Sequence, residues 1–412
     1  MITIKPFRGL RPKENLADKV ASPPYDVLSS DEARQMAQIN PVSFLHVNKP
    51  EIDLPEDTDP YSEIVYQKGR ENLYRFINEG TLVQDEKESL YIYRLTWKGH
   101  VQTGYFCLSA VDDYDAGRIK KHELTRAEKE ADRTKLIDVM NAQVGPVFLL
   151  YQANQALDSH LEKASAEKPN VDFVAEDSVR HQLWVVQDEN EIKEIVEGFK
   201  NLDATFIADG HHRSASASNV CKQRRQAHPD YTGEESFNYF LSVIFPHNQL
   251  KILPYNRVVT DLNGLTTEEF LAKISQKFDV QPFDNFVGIS AEKNFGMFLD
   301  GRWFKLTAKD GTFNPRDILD SLDVNILMKN ILEPILGIHD PRTDKRIDFI
   351  GGIRGNEELE RLVNSGKFRV AFSLFPTSVQ TLIKVADNNL IMPPKSTWFE
   401  PKLRSGMVSY LL

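Results

Sequence analysis

The segment ATFIADGHHRSASAS, residues 204–218, constrains the fold of this chain more than any other. An apolar run leads to Asp209, a single glycine and then a stretch of small residues without breakers. That is the pattern of a buried strand, a tight turn and a helix packed close to its neighbours. Gly210 allows the turn because a residue without Cβ reaches left-handed backbone freely. The helix then begins with His211, His212 and Arg213. A first helical turn carries free N–H groups and the positive end of the macrodipole, so acids are favoured there and each cation costs about 0.3–1 kcal/mol. An anion held by those N–H groups together with imidazole and guanidinium donors removes the conflict. The alternative is that Asp209 is an ordinary N-cap and the histidines are merely exposed.

The overall charge limits what that anion is. Lys and Arg number 50 against 60 Asp and Glu, a net charge of −10. A surface of that sign repels a polyanion over most of its area, so nucleic acid is not an expected partner, whereas a local basic pocket for a small anion remains open. With 412 residues the chain is long enough for two domains. Cys107 and Cys221 stand alone without C-x-x-C spacing, which fits a reducing compartment and supports neither a disulfide framework nor a cysteine zinc site. The N-terminal residues carry charges throughout, and no apolar run reaches membrane-spanning length, so a cytoplasmic protein without membrane attachment is expected. Nothing in the sequence indicates an oligomeric state.

Runs of both periods alternate along the chain. Ser29 and Glu32 have capping-box spacing ahead of a short helix, and Thr125 and Glu128 repeat it ahead of a helix expected over 126–142. A further helix is expected at 61–79. SLYIYRLTWKGHVQTGYFCLSAV reads as a hairpin about KGH, and NFGMFLDGRWFKLTA as another turning on Asp300 and Gly301. GPVFLLY reads as a buried strand, and DVNILMKNILEPIL, NEELERLVNSG and SVQTLIKVAD read as helices. The expectation is an α+β fold of mixed sheets with helices, divided into regions 1–255 and 256–412.

Three other constellations bear on chemistry. IKKHELTRAEKEADR gathers Lys121, His122, Glu123 and Arg126 near a helix start. Glu123 there suits a general base and the cations suit phosphate oxygens, while a solvated, salt-bridged helix entry explains the same residues. In PPYDV, Tyr25 and Asp26 follow a rigid turn, where Asp26 either meets a substrate amine or a metal, or orders the loop. MPPKSTWFEPKLRSG contains Lys395, Ser396 and Thr397 but no preceding glycines, so it is no P-loop; Lys395, Lys402 and Arg404 either line an anionic pocket or belong to an ordered tail. FIGGIRG lacks the G-x-G-x-x-G spacing and reads as a tight turn.

DGHHR opening a helix after a strand resembles the corresponding motif of the ParB and sulfiredoxin-like superfamily and is most similar to its free serine kinases. Through VASPPYDV, KHELTR, NAQVGPVFLLY, DGHHR and MPPKSTWFEPKLRSG, the whole chain resembles a widespread bacterial and archaeal family of about four hundred residues classed as a domain of unknown function. The resemblance implies a ParB/sulfiredoxin-like nucleotide-binding region within 1–255 and a C-terminal α/β region. It implies a kinase using ATP or ADP with Mg²⁺ to phosphorylate the hydroxyl of a small metabolite, with free L-serine, and hence serine metabolism, as the best match. Glu123, Asp209 and His212 are then the catalytic candidates. Gly210, His211, His212, Arg213, Lys121, His122 and Arg126 are expected to bind nucleotide phosphates; Tyr25, Asp26 and Lys395 the substrate; and Asp209 the metal. A ParB-like switch that binds or hydrolyses nucleotide without a small-molecule acceptor is the rival reading.

Overall fold

In the computed structural model, which describes every residue except Asn285, the aromatic and β-branched runs Leu90–Trp97 and His100–Ala110 pair antiparallel about Lys98 and Gly99. Both turn residues have positive φ, 48° and 79°, as a two-residue hairpin turn requires. This hairpin sits inside a nine-stranded mixed sheet. From one edge the order is Ile119–Lys120, Thr205–Asp209, Val147–Tyr151, Tyr239–Pro246, His100–Ala110, Leu90–Trp97, Arg180–Val186 and Val171–Val174, with Ile4–Lys5 also pairing to His100–Ala110. Tyr105 and Tyr151 are fully buried on it, and their hydroxyls donate to Leu157 O at 2.5 Å and to Asp158 Oδ1 at 2.6 Å. Burying such a ring stabilises by about 2–3 kcal/mol only when its polar tip is satisfied in this way.

Two strand pairs are parallel, and one of them positions the site. Thr205–Asp209 runs parallel to Ile119–Lys120. Parallel neighbours end at the same edge, so the chain leaves Lys120 and Asp209 together, and each exit feeds a helix: Ala127–Met140 from the first, His211–Ala227 from the second. These helices also run side by side in one direction. Arg126 meets His212, Glu130 meets Ser216 and Asn219, and Asp138 meets Arg224. The small residues Ser214 to Ser218 are all buried, which is what lets the second helix lie so close.

The local capping signals have different outcomes. Ser29 forms its capping box with Glu32, and the helix follows over Ser30–Gln38. Thr125 forms none: its hydroxyl donates to Glu130 Oε2 at 2.7 Å, Arg126 becomes the N-cap without a side-chain bond, and the helix covers Ala127–Met140 rather than 126–142. Asn141 ends it in left-handed backbone, φ 53°.

The chain divides into two compact units, residues 1–250 with 401–412, and residues 251–400. The second unit holds a six-stranded sheet, antiparallel throughout, in the order Phe278–Pro282, Arg302–Ala308, Asn294–Leu299, Val370–Leu374, Tyr255–Val259, Ile347–Gly351. Its hairpin turns on Asp300 and Gly301, both at positive φ. The helix read across DVNILMKNILEPIL starts as Asp323–Leu327 and widens into a π-helix at Met328–Leu332. Residues 401–412 do not continue this unit: Tyr410–Leu411 pair with Ala142–Gln143 in the first, so a linear region 256–412 does not coincide with either unit. The architecture is α+β with mixed sheets. Among the described residues, no helix is long and apolar enough to cross a membrane.

Candidate functional site

Strand Thr205–Asp209 ends with a register shift between Ile207 and Asp209, and Gly210 follows at φ 96°, ψ 29°. A side chain there would strain the backbone and bring a Cβ within 3.2 Å of the Arg213 guanidinium. Helix His211–Ala227 starts at once, and neither its N-cap, Gly210, nor Arg126, the N-cap of Ala127–Met140, makes a side-chain cap bond. Because the two helices are parallel with matched starts, two uncapped, electropositive N-termini lie together. The Arg126 N–H donates to His212 Nε2 at 3.0 Å and ties one start to the other.

Arg213 is the cation at this corner. One guanidinium nitrogen donates to the Pro146 carbonyl, and another lies 3.8 Å from both Asp26 and Asp209. Asp209 accepts from Gly210 N at 2.8 Å through one oxygen and from Lys402 Nζ at 3.0 Å through the other. Burial by itself raises the Asp209 pKa, but Lys402 and then Arg213 outweigh it and hold the carboxyl far below the usual range. Burial likewise works against the Arg213 charge, and Asp26 and Asp209 more than restore it. Tyr25 lies under the Arg133 guanidinium at 4.3 Å, and burial, followed by the nearby Asp26, pushes its phenol up to about 12.

The imidazoles behave otherwise than their position in the sequence suggests. Burial lowers His122 to about 4, drives His211 well below its ordinary value and lowers His212 as well. All three are neutral near pH 7; the His212 ring accepts from Arg126 N–H at 3.0 Å and the His211 ring from His122 N–H at 3.5 Å. The expected crowd of three cations at one helix start is therefore a single cation, Arg213, beside two uncharged rings. Desolvation, which composition does not reveal, is the reason.

Ten of the singled-out residues come together in the first unit. Asp209, Gly210, His211, His212 and Arg213 form the turn, Arg126 and His122 bond to it, and Asp26 flanks Arg213. Glu123 joins through His122 and His211, and Tyr25, next to Asp26 in the chain, lies within electrostatic reach of Arg213. Lys121 is exposed, its ammonium 5.4 Å from the Tyr114 ring. Lys395 belongs to the second unit, where its ammonium lies 5.4 Å from the centre of the Tyr255 ring. Arg404 pairs with Asp177 at 2.5 Å. Pro146 is a member that the sequence does not single out, and Lys402, read there as lining an anionic pocket or belonging to an ordered tail, pairs with Asp209. Their signal was present, since both lie in the segments NAQVGPVFLLY and KLRSG.

Metal binding at Asp209 does not fit this geometry. Both oxygens are engaged, one by an ammonium, and Mg²⁺ requires several oxygen ligands in near-octahedral array. Among the described residues, the donors that do gather are His122, Glu123 and His211, whose ligand atoms all lie within 4.8 Å of one another.

Comparison with known proteins gives the following. A family model matches residues 4–325. The chain belongs to that family, Protein of unknown function (DUF1015). No curated protein sequence matches this DUF1015 chain significantly. Among solved structures, a conserved hypothetical protein from Pyrococcus furiosus is similar at 12% identity and TM-score 0.35, over 73% of this chain and 93% of its own. A free serine kinase in complex with AMP is similar at 12% identity and TM-score 0.34, over 71% and 86% respectively. SbnI with C-terminal truncation, from Staphylococcus aureus, is similar at 11% identity and TM-score 0.37, over 71% and 81%. Similarity at that level gives no correspondence between residues, and the chemistry of the DUF1015 chain rests on its own side chains.

Proposed function

We propose that this DUF1015 chain binds the phosphates of ATP or ADP in its first unit and transfers a phosphoryl group to the hydroxyl of a small metabolite, with free L-serine the acceptor to test first. The observation that supports this is the pair of parallel helices whose uncapped N-termini meet at the Gly210 turn beside Arg213 and Lys402. Phosphoryl transfer asks a protein mainly for positioning and charge neutralisation. Helix-start amides and the Arg213 guanidinium supply fixed donors, and the exposed Arg126 and Lys121 add mobile positive charge at the rim.

The acceptor hydroxyl attacks the terminal phosphorus, an O–P bond forms, the bridging P–O bond breaks, and the shortened nucleotide leaves. The hydroxyl proton passes to a carboxylate. Asp209, held ionised by Lys402, is a weak base and suits orienting the hydroxyl. Glu123 takes the proton in this reading, and Asp26 faces the ammonium of an amino-acid acceptor, with Tyr25 shaping that side. The test incubates the protein with ATP labelled at the γ-phosphate, or ADP at the β-phosphate, and a panel of hydroxyl metabolites including L-serine. Labelled O-phosphoserine is the expected product. Nucleotide binding with no acceptor labelled would favour a ParB-like switch, and no nucleotide affinity would remove both readings.

A further inference from the structure

We infer that His122, Glu123 and His211 form a binding site for one divalent transition-metal ion of the Zn²⁺, Mn²⁺ or Fe²⁺ class. Two neighbours in sequence ordinarily point apart when the chain is extended. Here the chain has just left strand Ile119–Lys120 and bends at residues 122 and 123, so both side chains serve one spot. His211 reaches it from the parallel strand next door, as the first residue of its helix. The two imidazoles meet edge to face, centroids 4.6 Å apart and planes at 85°. They are 1% and 8% exposed, so packing holds both rings in place before any ion arrives.

The donor atoms lie within 4.8 Å of one another. Ligands around an ion bound at roughly 2.0–2.2 Å sit about 3–3.5 Å apart, so a modest adjustment of the half-buried Glu123 side chain toward the two fixed rings completes the site. The contact from His122 N to His211 Nε2, at 3.5 Å, is at the outer limit of a hydrogen bond and competes weakly with a metal. Two imidazole nitrogens and one carboxylate suit Zn²⁺, Mn²⁺ or Fe²⁺, whereas Mg²⁺ and Ca²⁺ want an all-oxygen set. Three protein ligands leave coordination positions open, and the site adjoins the Gly210 turn, so a water or an anionic oxygen completes the shell. A carboxylate that ligates is not available as a base, so metal loading and the proton-accepting role given to Glu123 exclude each other. The metal site stands on its own geometry whether or not phosphoryl transfer occurs.

The experiment uses tag-free, chelator-stripped full-length protein titrated with Zn²⁺ by calorimetry, and with Co²⁺ by visible spectroscopy. One equivalent of each should bind, and Co²⁺ should show ligand-field bands of a nitrogen-containing site, a readout that needs no variant. Glu123→Gln, at a half-buried position, should weaken Zn²⁺ binding at least about tenfold, and His122→Ala with His211→Ala should abolish it. Arg213→Ala should keep the Zn²⁺ affinity while losing nucleotide, which separates this site from the phosphate cradle. Failure of wild-type protein to bind a stoichiometric ion, or equal binding by folded Glu123→Gln, would overturn the assignment.

Discussion

Among the described residues, Arg213 donates to the Pro146 carbonyl, lies 3.8 Å from two carboxylates, and has no hydrogen-bond partner at Nε. A guanidinium placed so is anchored on one side and has donors to spare on the other. Arg213→Lys cannot hold the carbonyl and meet a phosphate together, and should weaken nucleotide binding by roughly 1.5–3 kcal/mol, ten- to hundredfold, in calorimetric titration; undiminished affinity would remove Arg213 from the cradle. A second residue sets a pH limit. His181, fully buried with Nδ1 2.7 Å from the Tyr93 hydroxyl and the Phe173 ring stacked at 5.2 Å, is lowered to about 3, first by burial and then by the Arg404 charge, itself paired with Asp177. The unfolded chain binds this proton near pH 6.5 and the folded one resists it, so its stabilising contribution is complete above that pH. It is lost by up to about 1.4 kcal/mol per pH unit as pH falls toward 3. Urea melts between pH 7 and pH 4 should show a shallower acid decline for His181→Gln than for the native protein. No side-chain type discloses such a ring's charge in advance. The neutral His211 and His212 were unreadable for the same reason, because their charge depends on burial by residues far along the chain.

At the scale of elements, local chemistry was legible wherever a turn or cap is decided by its immediate neighbours. The hairpins at Lys98–Gly99 and Asp300–Gly301, and the capping box at Ser29, follow from sequence because positive-φ turn backbone and a reciprocal cap are set by adjacent residues. Thr125 shows the limit, since its hydroxyl goes to Glu130 rather than to the spaced partner Glu128. The two sites therefore make a contrast: Ser29→Ala should destabilise the first unit by about 1 kcal/mol through the lost cap. Thr125→Ala should cost less, and equal losses in chemical denaturation would contradict the assigned bonds. Gly210→Ala meets both positive φ and a guanidinium 3.2 Å from the new methyl. It should lower stability by roughly 1–2 kcal/mol and depress nucleotide affinity as well, read by thermal melts with and without ATP.

On the scale of the molecule, what escaped the sequence was convergence. Lys402 reaches Asp209 across 193 positions, and Arg213 draws in Asp26 and Pro146 from two further segments; contacts of that span leave no periodic trace. The second unit is an insertion between Leu250 and Pro401, and the pairing of Lys251–Leu253 with Trp398–Glu400 brings the two crossing points together. Joining 1–250 to 401–412 by a short flexible linker should give a cooperatively folding protein that retains nucleotide binding, while ending the chain at 400 should lower the melting temperature of the first unit. Circular dichroism melts of the two shortened proteins check both outcomes. The position of Lys402 also sets an order of events at the ribosome. Its ammonium emerges only after the entire inserted unit has been translated, so throughout that interval the nascent chain displays Asp209 without its neutralising partner, and the pocket matures last.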